Sequence, residues 1–330
     1  MKLHLDEPAF ETLLLDVAEK TGIRADIIEK DYYVSLLLNE LAGKQKEVPA
    51  YFKGGTALYK ALGSIRRFSE DIDLTVAADN CSNSQAKKRL DKAANGYLSL
   101  PRDSEDSDNE NRKGSRTSIY HYKSVVEVDI DDTLQRFGRV KIEATSFTVS
   151  EPFEPMVIAP LVYEQATEDQ KQILGSVYGI CSFSIITIKL ERIFVDKVFA
   201  AEFYYQRQEY FDVSKHLYDL AVLLQQERIQ AMLNNPKLLL QMISYKRNEE
   251  HNRIGSDLAN KPFVEFTYLS QAMDNEDFKR EFIKMQNIYV FNSDDFISLD
   301  EVYKSLEDLN SVLMNLTEEK LNLSNEINPV

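Results

Sequence analysis

The sequence predicts an α+β fold, a sheet-and-helix domain over residues 1–180 followed by a helical domain over 181–330. Three observations carry this. A strand, a glycine turn, a short helix and a second strand are packed into "YFKGGTALYKALGSIRRFSEDIDLTV", Tyr51 to Val76. Two segments of alternating polarity follow, "YHYKSVVEVDID" and "GRVKIEATSFTV". From about Ile185 onward the apolar residues recur at helical spacing.

Residues 8–43 carry helical spacing through Leu13, Leu14, Val17 and Ala18, then Ile27, Ile28, Val34, Leu37 and Leu38, with a break at Gly22 and a stop at Gly43. "VPAYFKGG" reads as a short strand ending in a glycine turn, and "TALYKALG" as a short helix capped by Thr56 and closed by Gly63. In "DIDLTVA" a period of two sends Asp71, Asp73 and Thr75 to one face and Ile72, Leu74 and Val76 to the other. A helix is expected over 83–97, then a polar loop, "RDSEDSDNENRKGSR", whose acids read as solvated. The two alternating segments predict an antiparallel pair joined through "DTLQRFG". The domain boundary falls between 150 and 185, and the last helix opens with a capping box from Ser298 to Glu301. Its stripe of Val302, Leu306, Leu309, Val312, Leu313 and Leu316 packs on the chain's own core or meets a partner.

Composition narrows the function. The chain has 330 residues and a formal net charge of -15, which argues against coating nucleic acid by bulk electrostatics and leaves room for a local basic cleft, sought around Lys53, Lys189, Lys197 and Lys215. There is no apolar run long enough to span a membrane, and "MKLHLDEPAF" has acids where a signal peptide would be apolar. Cys81 and Cys181 stand far apart, and the four histidines form no zinc pattern. A cytoplasmic protein without a membrane partner is expected.

The chemistry concentrates in the opening stretch. Glycines at a strand-to-helix turn let the backbone approach a ligand, and the amides of a helix start favour phosphate. Asp71 and Asp73, on one side of a strand, suit a hard cation such as Mg²⁺. Aspartate is disfavoured in strands, so two within one need a reason. A two-metal transfer wants a third carboxylate, and Glu143, which shares a face with Lys141 and Thr145, is the candidate; Asp129, with Glu127, is its rival, and no third ligand at all is the remaining alternative. Lys53 and Lys60 flank the turn, adding positive potential there or lying exposed at the surface. Asp26, Glu29, Asp31 and Tyr32 are assigned no chemistry.

"KGGTALYKALGSIRRFSEDIDLTV" resembles the nucleotidyltransferase AbiEii/AbiGii toxin family of the DNA polymerase β-like nucleotidyltransferases. Its pattern is met at Gly54, Gly55, Thr56, Leu58, Arg67, Phe68, Ser69, Asp71, Ile72, Asp73 and Leu74. "IIEKDYYVSLLLNEL" is similar to the helix that precedes the glycine motif in many members. "LERIFVDKVFA" resembles a third motif through Glu191, Lys197 and Ala200, and "SKHLYDL" a fourth through Lys215, His216, Tyr218 and Asp219. Lys215 stands where arginine is usual, and a lysine offers a point charge in place of a bidentate fork. The resemblance covers about residues 27–225.

What it implies is a polymerase β-like mixed sheet with helices, followed by a helical C-terminal domain. Lys53, Gly54, Gly55, Thr56, Ser69, Lys215 and Asp212 would bind nucleotide, and Asp71, Asp73 and Glu143 would hold Mg²⁺. Lys197 would neutralise phosphate, oriented by Asp219 or Asp212; the bland alternative is a salt-bridged pair of helices. The implied activity is transfer of a nucleoside monophosphate from an NTP to an RNA such as a tRNA 3′ end, in a toxin–antitoxin or abortive-infection system with a cognate antitoxin and phage defence as outcome. Binding of NTP without transfer, and nucleotidylation of a protein, are the alternatives.

Overall fold

The computed structural model describes residues 1–61, 67–128, 137–252 and 256–316. The chain divides into two compact units, Met1–Ile188 and Lys189–Val330. In the first, the strands are β1 (Ala50–Lys53), β2 (Ile72–Val76), β3 (Arg102–Asp103), β4 (Glu110–Arg112), β5 (Ser115–His121), β6 (Arg139–Thr145), β7 (Phe153–Ile158) and β8 (Phe183–Ile188). The helices are α1 (Glu7–Thr21), α2 (Ala25–Lys44), α3 (Gly54–Ala61), α4 (Asn83–Asn95), α5 (Leu161–Glu164) and α6 (Glu168–Ser176). The described strands form one mixed sheet in the order β3-β5-β6-β2-β1-β8-β7, with β4 on β5.

The break between the first two helices has a plain cause. Gly22 takes φ +72°, the left-handed conformation that ends a helix without a Cβ penalty, and its N–H donates to the Ala18 carbonyl at 2.9 Å. Beyond it α2 is buried along most of its length and continues past Gly43 to Lys44, because a glycine in αR geometry does not by itself stop a packed helix.

Period-two alternation gives the sheet two unlike faces. Phe52, Ile72, Leu74, Val140, Ile142 and Ala144 are buried on one side. Lys53, Asp73, Lys141 and Glu143 lie half-buried on the other. Burying the apolar set stabilises by roughly 1.5–3 kcal/mol for each large side chain, so the register is firmly specified.

Three elements differ from expectation. The partner of β6 is β5, antiparallel from Ser115↔Thr145 to His121↔Arg139, so the strand begins within the polar stretch and ends where the alternating text starts. Arg116 explains the concealment: it is buried, yet its guanidinium ion-pairs with Asp91 at 2.7 Å. The supposed solvated loop contributes the short strands β3 and β4, both on β5. Ile185 lies in β8, which pairs with β1 in parallel and with β7 in antiparallel register, and the helical run begins after it.

The second unit is helical: α7 (Leu190–Tyr205), α8 (Tyr210–Leu223), α9 (Glu227–Leu233), α10 (Pro236–Asn252), α11 (Tyr268–Gln271), α12 (Glu276–Tyr289) and α13 (Leu299–Met314). The capping box of α13 is present in both directions, Ser298 with Glu301, and its stripe of Val302, Leu306, Leu309 and Leu313 is buried. Among the described residues no helix is long and apolar enough to cross a membrane.

Candidate active site

The glycine turn, the aspartate strand and the glutamate strand meet through backbone pairing. Antiparallel β1–β2 sets Lys53 opposite Asp73, and parallel β2–β6 sets Asp73 opposite Glu143. Asp71 immediately precedes β2. Of the two candidates for a third carboxylate, Glu143 therefore shares a face with Asp73 on a neighbouring strand. Asp129 lies outside the described residues.

Gly54 follows directly on β1 with φ +82°, and a Cβ there would stand 2.1 Å from Asp73 Oδ2. Conformation and space both demand glycine. At Gly55 a Cβ would meet Ser69 Oγ at 2.7 Å. The helix α3 starts at Gly54 itself, so Thr56 is not its cap. Thr56 is fully buried; its hydroxyl donates to the Asp71 carbonyl at 2.6 Å and, with its one hydrogen so used, accepts from the Ser69 hydroxyl at 3.0 Å. Those bonds fasten the turn to the residues that lead into β2.

Lys141 Nζ lies 2.7 Å from Glu143 Oε1 and 3.0 Å from Asp71 Oδ2, an ammonium between two carboxylates. Burial pulls it down, and the two carboxylates outweigh that and raise it above the ordinary lysine range. Asp73 is pushed up to about 7, first by burial and then by the charges of Glu143 and Asp71, against the opposing pull of Lys53 and Lys141. Three carboxylates thus face two lysines, and the repulsion left over resides on Asp73. Hard carboxylate oxygens with surplus negative charge are the donors a divalent cation takes, and Lys141 stands between two of them here. Lys141 is the site residue that sequence reading left without a role; its parity with Glu143 along β6 was the available signal.

Lys60, on the far end of α3, does not face this site. It is buried, its Nζ ion-pairs with Asp31 Oδ1 at 2.5 Å and donates to the Ala159 carbonyl at 2.9 Å. Tyr59 also donates to Asp31, whose other oxygen accepts the Leu161 N–H at 2.7 Å. One carboxylate of α2 therefore ties down α3 and the start of α5.

Within the helical unit, Lys197 of α7 meets Asp219 of α8 at 2.8 Å, both buried. Lys215 meets Asp212 at 3.0 Å within α8. Of the two acids considered for Lys197, it is Asp219 that contacts it.

A second acidic group stands at the sheet edge. Asp103, Asp106 and His121 bring one potential ligand atom each within 4.8 Å of one another. Arg139 pairs with Asp106 at 3.5 Å and, more closely, with Asp108 at 2.5 Å, so this group carries its own counter-charge. Asp106 is held below the ordinary carboxylate range, chiefly by the Asp108 N–H.

A mixed sheet that sets a glycine turn against carboxylates on adjacent strands suits an enzyme acting on nucleotide phosphates, and the class is that of the nucleotidyltransferases. A family profile described as the nucleotidyl transferase AbiEii toxin of a type IV toxin–antitoxin system matches residues 36–305, and the chain belongs to that family. No curated protein matches the chain. A crystal structure from H. pylori, whose own assignment as a nucleotidyltransferase is provisional, is 14% identical; the match covers 89% of this chain and 97% of that one, with a TM-score of 0.41. That likeness is too slight to carry weight.

Proposed function

We propose that the chain transfers a nucleoside monophosphate from an NTP to an RNA end such as a tRNA 3′ hydroxyl. This would be the toxic activity of a cytoplasmic protein countered by a cognate antitoxin, with abortive infection as its outcome. The observation that carries the reading is the register in which Asp73 faces Glu143 while Gly54 lies against Asp73.

In this reading the amides of Gly54, Gly55 and Thr56 take the β and γ phosphates at the start of α3, with Lys53 beside them and Ser69 holding the turn. Asp71, Asp73 and Glu143 hold Mg²⁺, which when bound polarises the α-phosphate and lowers the pKa of the attacking hydroxyl. The acceptor oxygen bonds to the α-phosphorus, the bond to the β-phosphate oxygen breaks, and pyrophosphate leaves. Glu143 accepts the hydroxyl proton. Lys141 keeps Asp71 and Glu143 together when no cation is held and yields to one when it is. Lys197 with Asp219 and Lys215 with Asp212 serve as positioning pairs of the helical unit.

The test is transfer of label from each NTP, radiolabelled at the α-phosphate, onto total RNA and total protein, comparing wild type with Asp73→Asn. Label on RNA that is lost in the variant is expected. Label on protein would replace the acceptor, and NTP bound with nothing labelled would leave a nucleotide-binding protein.

A further inference from the structure

We infer that the carboxylate-bearing face of the sheet also carries a base-stacking platform, built on Tyr51 and Phe153, for the unpaired 3′ end of an RNA acceptor; this rests on the transferase reading above. Parity along β1 puts Tyr51 on the side of Lys53, and Lys53 is opposite Asp73. One strand spacing and two residues separate Tyr51 from Asp73, roughly 8 Å between backbones. That is about the reach of one nucleotide.

The second ring comes from the edge strand: Phe52 is level with Thr187, so Lys53 is level with Ile188, whose partner on β7 is Phe153. Phe153 is thus on the same face, and its ring stacks on Tyr51 with centroids 4.5 Å apart and planes at 12°. The pair is open on its outer side, since Phe153 is 43% exposed. The exposed row continues through Pro155 to Val157, which is 69% exposed. Four residues of strand span about 13 Å.

Three features select the occupant. An NTP brings one base, whereas a row of this length matches successive bases of a polymer. The net charge of -15 denies a polyanion broad electrostatic attraction, and stacking on aromatic rings is the sequence-tolerant interaction that does not need it. Pro155 has no N–H to offer an added strand, so the edge is poorly suited to capture a protein by β-pairing. The outer face of Phe153 takes the last stacked base, with Tyr51 beneath that ring, and Pro155 and Val157 carry the apolar row on along the edge.

The experiment uses the full chain and a short single-stranded RNA with 2-aminopurine near its 3′ end. Binding to wild type is expected to quench the probe; Phe153→Ala to weaken RNA binding about tenfold or more and relieve the quench; Phe153→Trp to restore both. Affinity for NTP, measured separately, should be the same in all three. RNA bound and quenched equally by Phe153→Ala overturns the platform, and so does a loss of NTP affinity in its place, which would assign the rings to the incoming base. Absence of RNA binding by wild type also overturns it. If wild type still transfers label from NTP in those cases, the transferase reading survives the platform's failure; if it neither binds NTP nor transfers, that reading fails as well.

Discussion

The acids at the middle of the sheet and those at its edge are alike in composition and opposite in condition. Asp73 is raised to about 7, while Asp106 is held below its usual range. The middle group is fixed by ladder pairing, Asp73 against Glu143 on β6 and Lys53 on β1, so its like charges have no freedom to move apart. Of the edge group, Asp103 and His121 stand on β3 and β5, but Asp106 lies in the loop between β3 and β4, where it accepts the Asp108 N–H at 2.9 Å and Arg139 lies across it. A loop relaxes its charges; a register keeps them in conflict. That retained conflict is what a divalent cation would relieve.

The contrast predicts unequal sensitivity. Asp73→Asn should lower transfer by about a thousandfold or more, as expected when charge stabilisation of the reacting phosphate is lost. Asp103→Asn or His121→Ala should leave the rate within a factor of about two, and equal losses at both places would erase the distinction. Next in size is Gly54→Ala, whose Cβ must displace the Asp73 carboxylate. Transfer should fall about a hundredfold while the melting temperature drops only modestly, since a strained φ costs about 1–2 kcal/mol.

Lys60→Met separates structure from chemistry in the same turn. It leaves Asp31 buried without its ion pair, so stability should fall by about 3–5 kcal/mol in denaturant titration. Loss of activity beyond the unfolded fraction would give Lys60 a part in the chemistry as well.

pH gives a subtler test. Asp73, Glu29 and Glu164 are each raised to about 7, in each case chiefly by burial. Between the ordinary carboxylate range and 7 the folded chain keeps protons that the unfolded chain has lost. Stability should therefore fall as pH rises through that window, by up to about 1.4 kcal/mol per pH unit for each group. Mg²⁺ should flatten the Asp73 share and leave Glu29 and Glu164 unchanged. Asp106 runs the other way, its contribution present at neutral pH and lost on acidification, and Asp106→Asn should change stability by less than about 1 kcal/mol.

Much of the central group was legible because it depends on parity. Asp71 and Asp73 on one side, and Glu143 with Lys141 on another strand, follow from a period of two. The adjacency of β2 and β6 was not legible, since nothing local says which strands become parallel neighbours. Lys60 shows the same limit. A lysine beside a glycine turn reads as positive potential or as surface charge until its partner, Asp31, is found in another helix. The start of β5 was hidden by "SRTSIYH", whose buried arginine and hydroxyls imitate a loop.

The parallel neighbours β2 and β6 are separated in the chain by the excursion through α4, β3, β4 and β5. Within it Ser104 and Glu105 are exposed. A polypeptide divided there would leave Asp71 and Asp73 on one fragment and Glu143 on the other, so neither fragment alone would carry the three carboxylates. The topology that brings the carboxylates together thus also makes this chain divisible into two parts whose reunion a transfer assay would report.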